Sequence, residues 1–265
     1  MSQKQSKIFG ILNITPDSFS DGGKYFDESN AMSQAKWMID SGVDVIDIGA
    51  ESTRPGADYI GTEEEISRLK ILPNIKKLAD EAGVKISLDS KNARTIEKYI
   101  DYIDIINDVD SLRDESIQEL AITHNKKVVL MHSLSVPVKK GEYVQCKDFV
   151  QYLKGWLESR LNVLYSKGFK KDQIIFDPGI GFGNSSSQAI EILKGIEILQ
   201  NIGVEVLVGY ARKSFLAQFG EEDASKRDPE THALTFYLAK RKVSYIRIHN
   251  VSASKRIIKM AREFS

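Results

Sequence analysis

Eight short apolar runs end in, or lead straight into, side chains that a hydrophobic core would reject. These are Asn13; Glu51 with Thr53 and Arg54 just beyond; Asp89; Asn107 with Asp108; His132; Asp177; Arg212 with Lys213; and Arg247 with His249. They divide chemically. Asp89, Asn107 and Asp177 offer carboxylates and an amide that accept or donate in one plane, as a ring bearing amino and lactam N–H groups requires. Lys213, Arg247, His249 and Arg54 are cationic or can become so, and they suit an anion, above all a phosphate. A hydrogen-bonding floor with a cationic rim fits a polar heterocycle that carries phosphate. Any one strand-ending carboxylate can equally well cap the following helix. As a set they fit that reading poorly, because Asp89, Asn107 and Asp177 close their strands instead of opening helices.

No covalent nucleophile accompanies the set. Ser214 follows Lys213, but neither a G-x-S-x-G elbow nor Ser-x-x-Lys spacing surrounds it. Cys146, the single cysteine, lies in a polar stretch without a neighbouring histidine to activate it. The four histidines (His124, His132, His232, His249) lack H-x-x-x-H or H-x-H spacing, so a zinc site is not expected. Magnesium held by Asn13 together with a substrate phosphate is compatible with that ion's preference for few protein ligands and several waters. DPGIGFG (177–183) puts three glycines in seven residues after the sixth run, which permits positive φ and close backbone approach, although a plain turn explains one or two of them. Phe182 there is either a core anchor or an aromatic face for a second substrate. RKS (212–214) opens the segment after the seventh run, where barrels often bind phosphate at a helix start; a basic surface pair is the alternative.

The elements that must position these groups are Ile- and Val-rich runs at 7–13, 43–49, 84–89, 104–108, 127–132, 173–177, 204–209 and 244–250, with amphipathic stretches such as 29–41, 63–82, 148–167 and 229–242 between them. That alternation predicts βα units around a parallel sheet covered on both faces. Eight strands in 265 residues predict a single-domain (β/α)8 TIM barrel over 1–265, with its site at the C-terminal ends of the strands. A doubly wound sheet competes, but no G-x-G-x-x-G follows the first run. Two connections, 15–28 and 51–62, far exceed the two to six residues usual in βα loops; both leave the predicted mouth, as lids or substrate clamps do. Thirty-seven basic and 37 acidic residues balance, so there is no global field for nucleic acid or an anionic membrane. No run spans a bilayer, the N-terminus has no secretory apolar segment, and the lone cysteine forms no internal disulfide; a cytoplasmic protein is expected.

At NITPDSFSDGG (13–23) and ESTRPGA (51–57), followed in order by DPGIGFG, RKS and RIHNV (247–251), the chain closely resembles the dihydropteroate synthase family of folate biosynthesis over essentially its whole length. The resemblance implies transfer of the pterin-6-methyl group of 6-hydroxymethyl-7,8-dihydropterin diphosphate to the amine of 4-aminobenzoate, with release of pyrophosphate. It implies a pterin site of Asp89, Asn107, Asp177 and Lys213 with Arg247 beneath the ring, catalytic roles for Asp89, Lys213 and Arg247, and Asn13 as the Mg2+ ligand. Thr53, Arg247 and His249 would lie near the diphosphate, and Arg54, Pro55, Phe182 and Ser214 at the aminobenzoate site. It further implies sulfonamides as competitors, and a homodimer through the last helices. A methionine start and a finished eighth unit predict a stand-alone enzyme. Three positions depart from the family pattern: Ala50 where glycine is common, Ser90 where threonine is usual, and Asn250 where aspartate is common. Two other functions stay open: a corrinoid methyltransferase-type pterin barrel, which needs neither the long loops nor RKS, and a paralogue that binds pterin without condensing it.

Overall fold

The computed structural model describes residues 5–15, 28–51, 60–136 and 141–264. Eight strands, β1 (Lys7–Asn13), β2 (Val45–Gly49), β3 (Lys85–Asp89), β4 (Ile105–Asp108), β5 (Lys127–Met131), β6 (Ile174–Asp177), β7 (Glu205–Gly209) and β8 (Tyr245–Ile248), pair in parallel and in chain order into a closed barrel. The sheet closes where β1 pairs with β8, with Lys7 opposite Tyr245 and Gly10 opposite Ile248. The helices are α1 (Glu28–Asp40), α2 (Thr62–Arg68), α3 (Leu72–Glu81), α4 (Ala93–Tyr99), α5 (Glu115–Thr123), α6 (Phe149–Ser166), α7 (Ser186–Lys194), α8 (Ile196–Gln200), α9 (Asp228–Lys240) and α10 (Val251–Glu263). The predicted (β/α)8 barrel is therefore the observed architecture.

Strand alternation builds two cores. Odd-numbered positions of β1 to β6 and of β7 and β8 point into the barrel, where Phe9, Val45, Ile105, Val129, Ile175, Leu207 and Tyr245 form a separate apolar layer. Phe9 and Tyr245 meet edge to face, with centroids 5.1 Å apart. Towards the N-terminal end, the Tyr245 hydroxyl donates to Glu205 at 3.1 Å and Lys127 pairs with Glu205 at 2.8 Å. The alternate positions, such as Ile8, Leu12, Ile46, Ile48, Leu88 and Phe176, face outward into the larger core beneath the helices. One inner layer of side chains thus plugs the barrel below and leaves the strand ends above free to be polar.

The sequence predicts one helix over 63–82; the structure has two, α2 and α3, joined by a tight turn at Leu69–Ile71. Pro73 in the first turn of α3 has no N–H for the preceding turn and so restarts the helix. The strands at 43–49 and 244–250 are shorter than expected, being Val45–Gly49 and Tyr245–Ile248. Helix starts are capped locally. Asn92, Asp114 and Asp148 accept from N–H groups of the first turn, and Ser185 forms a capping box with Gln188.

Candidate active site at the mouth of the barrel

Above the apolar layer, the inward positions near the strand ends become polar, and six charged or amide side chains converge, Lys213 coming from the segment after β7. Arg247 on β8 bridges two carboxylates: its Nε donates to Asp47 on β2 at 2.6 Å and its Nη2 to Asp89 on β3 at 2.6 Å. Asp47 is fully buried and also receives the Asn107 amide, 3.2 Å from each of its oxygens. A carboxylate only accepts, so this contact turns the NH2 of Asn107 downward and presents its Oδ1 upward. On the other side, the inward position of β7 is Gly209. A Cβ there would stand 3.6 Å from an Asp177 oxygen and 3.8 Å from both the Lys213 Nζ and the Arg247 Cδ. Asp177, Lys213 and Arg247 thus all approach this one bare position on β7.

The loop after β6 completes this wall. Asp177 accepts from the Gly179 N–H at 2.8 Å, and Asn184 spans the turn, donating to the Gly179 carbonyl at 2.7 Å and accepting from the Gly181 N–H at 2.9 Å. Gly179, Gly181 and Gly183 all have positive φ, more than a plain turn requires. At Gly179 a Cβ would overlap the His132 carbonyl oxygen, so the backbone itself packs on β5. Lys213 donates to the Ile180 carbonyl, and its Nζ stands 5.0 Å from the centre of the half-buried Phe182 ring. The fully buried anchor of this loop is Ile180, so Phe182 is a face of the site and not part of the core.

Burial and mutual charge set the protonation states. Withdrawal from water pushes Asp89 up to about 7, against the Arg247 guanidinium and with help from the charges of Asp47, Asp108 and Glu65. Asp177 also lies above the ordinary carboxylate range through burial, opposed by Lys213 and by the Gly179 N–H. Burial lowers Lys213 to about 8, although Asp177 and Asp89 favour its charge. Arg247, held between Asp47 and Asp89, is raised above the usual guanidinium value despite its burial. The site is consequently poised so that one carboxyl and one ammonium both change charge near neutral pH.

Of the groups expected at the mouth, Asp89, Asn107, Asp177, Lys213 and Arg247 come together there, and alternation along β1 places Asn13 on the same inward face, opposite Gly49. Ser214 is exposed beside Lys213, and His249 follows β8. Thr53, Arg54 and Pro55, with most of both long loops, lie outside the described residues.

Three strand-end groups do something else. Asp108 points outward and accepts from the Asp110 and Leu112 N–H groups at 2.7 and 2.8 Å, the turn-capping role; burial raises it to about 6. His132 faces the outer layer among Phe149, Tyr152 and Trp156, where burial lowers it to about 4. Arg212 forms a two-pronged ion pair with Asp228 on α9, at 2.7 and 3.0 Å. The family departures are accommodated. Asn250 caps α10 by accepting from the Ala253 N–H at 3.1 Å, as an aspartate would. Ala50 needs no left-handed backbone, and its carbonyl receives Arg68 at 3.1 Å. Ser90 still supplies a hydroxyl, to the Asn92 N–H at 3.1 Å.

Sequence reasoning missed Asp47, because it lies two residues before the end of its strand and not at the end. A charged residue inside VIDIG (45–49), on the same alternation as Val45 and Gly49, was the available signal.

A barrel with an acceptor-rich floor, two half-buried cations and a glycine-rich wall defines a class of enzyme that holds a polar heterocycle, and comparison with known proteins specifies it. The family model for pterin binding enzymes matches residues 9–249. A dihydropteroate synthase of Clostridium beijerinckii is 34% identical over 97% of this chain and 93% of its own length. A probable bifunctional folylpolyglutamate synthase/dihydropteroate synthase of Haloferax volcanii is 36% identical over 96% of this chain, which spans only 30% of that longer relative. The dihydropteroate synthase structure from Anaplasma phagocytophilum with bound 6-hydroxymethylpterin-monophosphate is 35% identical and superposes with TM-score 0.90, covering 98% of this chain and 100% of that one. Those from Xanthomonas albilineans with 4-aminobenzoic acid (30% identical, TM-score 0.88) and Yersinia pestis with a sulfonamide drug (29% identical, TM-score 0.89) each cover 98% of this chain and 93% of their own, or 98% and 94%. The chain belongs to the dihydropteroate synthase family of pterin-binding enzymes.

Proposed function

We propose that this chain, as one pterin-binding domain over 1–265, condenses 6-hydroxymethyl-7,8-dihydropterin diphosphate with 4-aminobenzoate to 7,8-dihydropteroate and pyrophosphate. The observation that carries the reading is the forced polarity of the floor. Asp47 fixes Asn107 with its acceptor upward, beside the acceptors Asp89 and Asp177, while Lys213 supplies a donor and Arg247 a cation beneath. A pterin carries the complement, an amino group and ring N–H donors around one carbonyl.

In the reaction, the bond between the exocyclic methylene carbon and the diphosphate oxygen breaks, and its electron pair leaves with the diphosphate. The aniline nitrogen lone pair forms the new C–N bond and the amine loses one proton. Positive charge spreads from the methylene into the ring as the bond opens. Asp89, ionised above about 7, compensates that charge, and Arg247 lies in the floor beneath the ring. Lys213 is protonated below about 8 and donates to the ring. The work is charge compensation and positioning, which accounts for the absence of any nucleophile from the motif set. Asn13 fits a magnesium ion: its amide oxygen is a hard donor on the inward face of β1, and this ion takes one or two protein ligands with substrate phosphates and water. When bound there, magnesium would neutralise charge on the leaving diphosphate. His249 and Thr53 stand for the diphosphate, and Arg54, Pro55, Phe182 and Ser214 for aminobenzoate; the relatives that hold 4-aminobenzoic acid and a sulfonamide support this second subsite.

A coupled assay for pyrophosphate release, run with and without aminobenzoate, tests the reading. Release that needs both substrates is expected. Pterin binding with no release would leave the non-condensing paralogue in its place. No helix among the described residues is long and apolar enough to cross a membrane. The exposed Met260 and Phe264 at the end of the last helix support a homodimer formed there, to be checked by analytical ultracentrifugation of the wild type and Met260→Glu.

A further inference from the structure

The turn that delivers Lys213 to the site is unusual for its residue type. Lys213 N–H bonds back to the Tyr210 carbonyl at 3.2 Å, closing a four-residue turn whose third position, Arg212, has φ +56°. That position ordinarily calls for glycine or asparagine. Arg212 is held there from every side by the start of α9. Its guanidinium takes both Asp228 oxygens, at 2.7 and 3.0 Å. Its N–H donates to the Thr231 hydroxyl at 3.1 Å, and its carbonyl accepts from the Arg227 guanidinium at 3.0 Å. The clamp is itself braced. Buried Arg227 also donates to the Glu221 and Glu222 carbonyls, the Thr231 hydroxyl donates to the Arg227 carbonyl at 2.7 Å, and Tyr210 at the head of the turn bonds Thr235 at 2.6 Å. The next residue is Lys213, whose Nζ reaches the Ile180 carbonyl and the face of Phe182 and feels the charge of Asp177.

We propose that the Arg212–Asp228 pair is a positioning device for catalysis: by locking a left-handed turn against α9, it aims Lys213 into the pterin floor. Neither sequence reading of RKS, a phosphate-binding helix start or a basic surface pair, describes Arg212, since this guanidinium serves the lysine beside it. The inference rests on the placement of Lys213 in the pterin site proposed above.

The test follows pyrophosphate release against pH, with thermal melting, on the intact purified protein and on Arg212→Gly, Asp228→Asn, the double variant and Lys213→Ala. Glycine adopts positive φ freely, so Arg212→Gly removes the clamp without straining the turn. Each single clamp variant is expected to lower kcat/KM for the pterin substrate by about tenfold, and the double variant no further than the worse single, because the two residues act through one contact. Lys213 is faced by Asp177 from β6, Asp89 from β3, Arg247 from β8, and the Ile180 carbonyl and Phe182 ring from the β6 loop. Once it is no longer aimed among them it becomes better hydrated, and the basic limb of the pH profile moves upward from about 8. Wild-type kcat/KM and an unmoved basic limb in Arg212→Gly, while Lys213→Ala loses activity, would overturn the clamp alone. So would losses that merely track a collapse in melting temperature. Full activity in Lys213→Ala would overturn the site reading itself.

Discussion

Replacing Asp47 by asparagine changes no volume and removes one charge from the bottom of the site, so its effects can be worked out group by group. In the wild type, the Asp47 carboxylate accepts the Arg247 Nε at 2.6 Å and the Asn107 amide at 3.2 Å, with no exposure to solvent. An amide in its place offers one acceptor and brings two donors, which the Arg247 guanidinium cannot accept. Breaking a buried ion pair costs about 3–5 kcal/mol. Arg247 retains Asp89 as a second partner, so the cost should fall near about 3 kcal/mol. For a chain of this size that corresponds to a loss of about 6–12 °C in melting temperature. The sharper consequence concerns Asp89. Its elevation to about 7 includes repulsion from Asp47, and in the variant it becomes the sole carboxylate paired with Arg247. Both changes favour its ionised form, so the acid limb of kcat/KM against pH should move downward from about 7. The sign also holds for stability. A carboxyl with a raised folded-state pKa stabilises the fold at low pH and loses that contribution as pH rises towards 7, so lowering the pKa makes the variant's stability fall less between pH 4 and 7. Pyrophosphate release measured from pH 5 to 9, with melting curves at each pH, reads both effects. A folded Asp47→Asn enzyme whose acid limb stays where the wild type has it would refute the coupling of Asp47 to Asp89.

Lys213→Ala and Asp89→Ala should each reduce kcat/KM at least tenfold, equivalent to about 1.4 kcal/mol of transition-state binding, in the same pyrophosphate assay. Gly179→Ala forces a Cβ into the His132 carbonyl and strains a positive φ; loss of at least about 2 kcal/mol of stability in a denaturant titration is expected, and a wild-type midpoint would contradict the close packing. Sulfonamides should raise the apparent KM for aminobenzoate without lowering the maximal rate, and turnover indifferent to excess sulfonamide would argue against an aminobenzoate site beside Phe182.

Much of the architecture was legible because both periodicities are strong. The strand runs are bounded by their own polar ends, and outward residues such as Ile46, Ile48, Leu88 and Phe176 give nearly continuous apolar strands under the helices. The floor was legible for a related reason, since Asp89, Asn107 and Asp177 terminate strands where an apolar residue would be the default. What sequence could not supply was direction. Asp108 and His132 also end strands, but one position of alternation turns them outward, to a turn cap and an aromatic cluster. Asp47 was hidden for the opposite reason, being inward but one layer down. Arg212 looked like half of a basic pair, and only the approach of Asp228, sixteen residues later, reveals that its charge is already spent.

The apolar layer from Phe9 to Tyr245 has a kinetic meaning. It closes the barrel from below, so the pterin floor is reached from one side only, and whatever binds over Phe182 and Ser214 sits across that single route. On the proposed subsites the deeper ligand would arrive before the shallower one, and the joined product would leave through the opening by which its halves came in. With the subsites proposed above, aminobenzoate that arrives first would stand in the pterin's path, and the expected outcome is inhibition by excess aminobenzoate in steady-state rates.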